Sequence, residues 1–90
     1  MNLQSKVAIP EEVMTRRVGD ETVILDLATG TYFGLDRVGA DMWQLMGEGR
    51  TLAEVCDAMQ ALYEATREQL ERDVVELAEK LRAQGLIRAA

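Results

Sequence analysis

Residues 23–46, VILDLATGTYFGLDRVGADMWQLM, decide the fold. Two short runs of strand character meet at the turn tripeptide Ala28-Thr29-Gly30. In the first run, Val23, Leu25 and Leu27 alternate with Thr22, Ile24 and Asp26, the period of a strand with two unlike faces. In the second, Thr31, Phe33 and Leu35 alternate with Tyr32 and Gly34. The period then changes. Val38, Met42, Leu45 and Met46 recur at helical spacing, and Trp43 widens the stripe. Asp36 stands where a helix N-cap belongs. The strand over residues 31–35 therefore lies where a small sheet meets helices. A free strand edge in that place is able to take up an extended peptide.

Upstream, residues 13–18 (VMTRRV) read as a strand, closed by the turn signal Gly19-Asp20. Short links between successive strands favour an antiparallel meander. Residues 1–12 read as a tail lying along the domain, with one apolar patch, Val7-Ala8-Ile9, ended by Pro10. Downstream, Gly47-Glu48-Gly49 stops the first helix. Thr51 and Glu54 form a capping box, in which hydroxyl and carboxylate each satisfy an orphan backbone N–H. Leu52, Val55, Met59 and Leu62 give that second helix its buried stripe. Thr66 and Gln69 suggest another capping box, opening a third helix that buries Leu70, Val74, Leu77 and Leu81. Gly85 is a natural helix stop, after which Leu86-Ile87 return to close the core.

Strands first and helices after predict an α+β domain over residues 13–90: a three-stranded antiparallel sheet, then three helices packed on one face. The two capped helices joined by Glu64-Ala65 resemble a helix-turn-helix, which makes the whole winged helix-turn-helix-like.

The chain has 90 residues, 48% of them hydrophobic, which suits one small globular domain and not a disordered one. No apolar run approaches the roughly 20 residues of a membrane span. The N-terminus lacks the features of a signal peptide, so the cytoplasm is the expected compartment. Cys56 is the only cysteine, set in a helical apolar pattern that makes it a core thiol. There is no histidine, which removes the commonest general base and the commonest metal ligand. With no paired cysteines and no Gly-rich phosphate loop either, neither an enzyme nor a cofactor is expected. The only serine, Ser5, lies in the tail, which argues against a phosphopantetheine-bearing carrier protein.

The formal charge of −6 disfavours nucleic acid and suits a basic peptide or partner. A winged-helix DNA-binding regulator remains the alternative by element order. Its recognition helix would carry Glu68, Glu71, Asp73, Glu76 and Glu79 against Arg67, Arg72, Lys80 and Arg82, the wrong balance for phosphate contacts.

The run Leu25-Asp26-Leu27-Ala28-Thr29-Gly30-Thr31-Tyr32-Phe33-Gly34-Leu35-Asp36-Arg37-Val38-Gly39-Ala40 resembles the PqqD-like proteins, also called RiPP recognition elements after the ribosomally made, modified peptides they serve. Met42-Trp43-Gln44-Leu45-Met46, the Gly-rich stop and the Thr51-Leu52 helix start extend the likeness over roughly residues 13–87. Among such proteins, the free-standing leader-binding proteins of lasso-peptide pathways look most similar. The resemblance implies that the leader of a precursor peptide adds as a strand to the third strand and rests in the groove between it and the third helix. It also implies no turnover, and delivery of the precursor to a leader peptidase and a ring-closing cyclase.

Carried over by position, Thr31, Tyr32, Phe33, Gly34 and Leu35 supply the backbone ladder, with Gly34 admitting the guest backbone closely. The other wall comes from the third helix, by one of two flanks. Glu71, Val75, Ala78 and Arg82 lie on the first, which Val75 favours by standing off the core stripe. Asp73, Glu76 and Lys80 lie on the second, which offers carboxylates to a basic leader. Val74 stands between them on the core stripe. Tyr32 and Phe33 read either as a clamp on a leader residue such as proline or tyrosine or, for Phe33, as core facing inward with Leu25 and Leu35; Tyr32 points to the opposite face and is the better binding candidate. Trp43 reads as a core anchor, and Asp26 and Asp36 as turn and cap residues. An unliganded edge strand predicts a monomer or a weak dimer.

Overall fold

The computed structural model describes residues 1–90. The elements run β1 (Val7–Ala8), β2 (Val13–Val18), β3 (Glu21–Asp26), β4 (Tyr32–Leu35), α1 (Arg37–Gly47), α2 (Leu52–Leu62), α3 (Arg67–Ala83) and β5 (Arg88–Ala89). β2, β3 and β4 form the antiparallel three-stranded sheet in that order. The α+β fold is therefore as expected. A second ribbon pairs β1 with β5, so the N-terminal segment is tied to the C-terminus and buries Val7.

The turns are built locally. Asp26 accepts from the Ala28 N–H at 2.9 Å through its Oδ1, and Gly30 adopts φ +76°, a conformation costly for any residue with a Cβ. The β3–β4 link is thereby fixed, and with it the register that pairs Ile24 with Phe33 and Leu25 with Tyr32.

The covered face of the sheet is the one bearing Thr22, Ile24 and Leu35, which are 4%, 0% and 5% exposed. Phe33 packs on the core from this face, but opposite Ile24 and not beside Leu25. Leu25 lies on the other face with Tyr32. The expected inward placement of Leu25 is overturned because β3 presents its single Ile between two polar residues. Asp26 meets its own need in the adjacent turn, so a face that reads as polar carries the core.

The helices bury Ala40, Met42, Trp43 and Met46 from α1, and Leu52, Val55, Cys56 and Met59 from α2. Trp43 is a core anchor as expected, and its Nε1–H donates to Thr15 Oγ1 at 3.0 Å, tying α1 to β2. Val38 is 39% exposed. At about 100° per residue, the buried arc centres between Met46 and Trp43 and leaves Val38 at its margin. Leu62 is exposed because α2 ends there. The chain then turns at Tyr63, whose hydroxyl donates to Asp41 at 2.6 Å, a bond to a carboxylate that pushes the phenol's pKa up.

The Thr51–Glu54 capping box is complete, with bonds of 3.1 and 2.8 Å, and the backbone bond holds the Glu54 carboxyl below its usual value. At α3 only half of the expected box forms. Thr66 Oγ1 accepts from Gln69 N–H at 3.1 Å, while no bond returns from Gln69. A neutral amide is a weaker acceptor there than a carboxylate.

α3 buries Leu70, Val74, Ala78 and Leu81. Ala78, not Leu77, continues the stripe, because α3 packs on α2 at a spacing of four residues. Leu77 is only partly buried. Gly85, at φ +73°, ends the helix, and Leu86 and Ile87 return to the core as expected, 0% and 2% exposed. α1 lies directly on β3 and β4, α2 packs on α1, and α3 on α2. α3 therefore reaches the sheet only at its rim, beside β4.

Candidate functional site

Strand β4 has a partner on one side alone, so its outer edge is open. Which backbone groups face outward follows from the ladder. The Asp26 N–H donates to Thr31 O at 2.8 Å. In an antiparallel pair the residues that exchange bonds alternate with those that do not. Thr31, Phe33 and Leu35 thus turn their backbone toward β3. Tyr32 and Gly34 turn their N–H and C=O groups outward, where nothing in the chain pairs with them.

Beside this edge lies a groove of about 290 Å³ between β4 and α3. Phe33, Gly34 and Leu35 form its sheet side, and Asp36 and Gly39 its end. Asp73, Glu76, Leu77 and Lys80 form the helix side. These four recur at helical spacing on a single face of α3. The floor is apolar, from Phe33 and Leu77, and the rim is mostly anionic. Asp36 is engaged as the α1 cap, accepting from Gly39 N–H at 2.8 Å, and Lys80 sits 3.4 Å from Glu76. Asp73 has no ion-pair partner.

The other sequence-predicted residues sort as follows. Tyr32 is 74% exposed and projects from the sheet's outer face, away from the groove. Val74 and Ala78 are 0% exposed and belong to the core. Glu71 lies outside the groove's lining and takes Arg67 Nε at 2.9 Å. Val75 packs against the core, and Arg82 is exposed; neither lines the groove. Of the two candidate flanks of the helix, the second, Asp73, Glu76 and Lys80, lines the groove, and the first, Glu71, Val75, Ala78 and Arg82, does not. Leu77 escaped sequence reading because it was assigned to the buried stripe. Its signal was the spacing Asp73, Leu77, Lys80 on the flank that also carries Glu76.

The arrangement provides contact and charge. Burial raises the pKa of the Cys56 thiol, and the nearby Glu71 and Asp57 carboxylates add to the rise. Arg67 is held protonated by Glu71 and Asp57 in a network that joins α3 to α2, away from the groove. No group of three or more His, Cys, Asp or Glu is placed to hold a metal ion. No helix is long and apolar enough to cross a membrane.

Solved structures similar to this chain include complexes with leader peptides. One solved structure similar to this chain is TbiB1 in complex with the TbiA(beta) leader peptide: 40% identity, TM-score 0.83, covering 89% of this chain and 93% of that one. Another is lasso peptide synthetase B1 complexed with the leader peptide, at 25% identity and TM-score 0.84, covering 92% of this chain and 98% of that one. No match was found among curated proteins. The family model for coenzyme PQQ synthesis protein D (PqqD) matches residues 21–87, from the first residue of β3 to the return of the chain into the core. With its three-stranded sheet, open β4 edge and trio of helices, the chain belongs to the PqqD family.

Proposed function

We propose that this protein is a recognition element that binds the leader segment of a ribosomally made precursor peptide. The leader adds as a fourth strand beside β4. Tyr32 and Gly34 supply the ladder, and alternate leader side chains enter the groove between Phe33 and Leu77. The protein performs no reaction on the peptide and presents it to processing enzymes, a leader peptidase and a cyclase. The observation that carries this reading is the open, groove-flanked edge of β4 in a chain 40% identical to a protein solved with a leader peptide on it. Backbone pairing gives such a site affinity that tolerates sequence variation, and the groove adds selection. The DNA-binding alternative is not favoured, because α3 carries the acidic balance noted above.

Titration of a labelled TbiA(beta) leader peptide into the protein tests the proposal, with saturable binding expected and its absence counting against it. The groove makes a separate contribution. Leu77→Ala removes part of its apolar wall, and the expected loss of affinity is about fivefold, from roughly 1 kcal/mol of lost burial. An unchanged affinity would place the leader outside the groove. Incubated alone with the protein, the peptide is expected to keep its intact mass.

A further inference from the structure

The sheet has a second open edge. Its order is β2-β3-β4, so β2 also has a partner on one side alone. The Leu27 N–H donates to Glu12 O at 2.9 Å, and this sets the alternation along β2. Met14, Arg16 and Val18 turn their backbone toward β3. Thr15 and Arg17 turn theirs outward, where no other strand pairs with them. Beside this edge lies a second groove, of about 280 Å³, between β2 and α1. Thr15, Arg17 and Thr22 form its sheet side, and Ala40, Trp43 and Gln44 its helix side. Edge, groove and helix thus recur at both margins of the sheet, with α1 in the place that α3 takes at β4.

The two margins differ in charge. Asp36, Asp73 and Glu76 rim the β4 groove, whereas the β2 groove has no carboxylate and carries Arg17. Arg16 stands next to it on the opposite face of the strand. Both are exposed, and neither makes an ion pair, although the chain holds 16 acidic residues against 10 basic ones. Asp20 and Glu21 of the adjoining hairpin leave them unpaired too. Charged side chains on an edge strand oppose self-pairing. Two β2 edges side by side would gather four arginines along one seam. The same edge is complementary to a strand of opposite charge.

We propose that β2 is a second docking edge, which takes an extended acidic segment of a partner protein and leaves β4 free. The segment adds as a strand beside β2, and its side chains alternate between the two faces. A carboxylate opposite Arg17 enters the groove, and one opposite Arg16 lies on the outer face. The recognised feature is therefore a pair of consecutive acidic residues. The guest residue opposite Thr15 is small, because Ala40 and Trp43 already wall the groove there. With the two edges at opposite margins of the sheet, both are open to occupation at once, and the protein is able to bridge a peptide and a second protein. The inference stands on β2 and α1 and does not need the leader reading of β4.

The test uses the full chain and a fluorescent synthetic peptide of about ten threonine and serine residues with two adjacent glutamates at its centre. Saturable binding at low salt is expected, and it should weaken as salt is added. Replacing both glutamates with glutamine should weaken it about fivefold or more, and so should the double variant Arg16→Gln, Arg17→Gln, whose melting temperature should stay that of wild type. Amide exchange at Thr15 and Arg17 should slow on binding, while Tyr32 and Gly34 keep the rates of the free protein. The affinity for the TbiA(beta) leader peptide should be the same with and without the acidic peptide. The inference is overturned if the acidic peptide does not bind, if the glutamine peptide or the double variant binds equally well, or if protection appears at Tyr32 and Gly34 instead. Displacement of the acidic peptide by the leader or by a short DNA duplex would overturn it as well. A protein that binds the acidic peptide but no leader would count against strand addition at β4 and leave this inference standing.

Discussion

Replacing Gly34 with proline is expected to weaken leader binding by roughly ten- to a hundredfold while leaving the domain folded. The Gly34 N–H faces outward and takes no part in pairing with β3, so the β3–β4 ladder survives. Proline is tolerated on an edge strand in just that orientation. In the complex, however, a guest carbonyl loses its donor, and a buried acceptor left without a partner costs about 1–3 kcal/mol. The pyrrolidine ring also stands where the guest backbone approaches. Tyr32→Ala removes only a side chain and leaves both outward groups of residue 32 in place, so its loss should be about threefold or less. Titration of the two variants with one leader peptide ranks them. Equal losses would mean that side-chain contact dominates over the backbone ladder. Gly34→Val, which retains the N–H, separates the lost donor from the bulk of an added side chain.

The second large effect concerns stability. Ile24→Ala should destabilise the fold by about 2–5 kcal/mol. Ile24 is the one fully buried apolar residue of β3, and the sheet's attachment to α1 runs through it, Leu35 and part of Phe33. A domain of this size has a total stability of only about 5–15 kcal/mol, so the change removes a large share of it. The melting temperature, followed by circular dichroism, should fall by on the order of 10 °C or more. Leu25→Ala, in the same strand but on the open face, is the control and should shift it far less. If the two variants melt alike, the assignment of the covered face is wrong.

Most of the architecture was legible because its signals are local. Alternation marked β3 and β4, helical spacing marked α1 to α3, and Thr51, Thr66, Asp36 and Gly85 marked helix ends. What stayed hidden depends on non-local register or on competition between near-equal alternatives. β1 and β5 are two residues each, too short to carry a period, and only their pairing makes them strands. The inward face of β3 was misread because Val23, Leu25 and Leu27 outnumber Ile24. The longer apolar row is in fact the open one, and part of it lies near the edge where a guest strand would lie.

The same holds for the site. The strand and its open edge were visible in residues 31–35. The division of labour between Tyr32 and Gly34 on one side and Phe33 and Leu35 on the other was not, since it follows from the pairing of Asp26 with Thr31. On α3, Leu77 and Ala78 are adjacent residues, and periodicity alone favours the larger one for the core. Packing against α2 admits the smaller Ala78 and turns Leu77 to the groove. That quarter-turn of the helix is what selects Asp73, Glu76 and Lys80 over Glu71, Val75 and Arg82 as the groove's wall.

Amide hydrogen exchange of residues 31–35, with and without saturating leader peptide, tests strand addition most directly. Phe33 and Leu35 amides should be protected in both states, because β3 holds them. The Tyr32 and Gly34 amides should exchange quickly in the free protein and become protected in the complex. Tyr32 and Gly34 amides that still exchange quickly once the leader is bound, with new protection appearing elsewhere, would contradict the account.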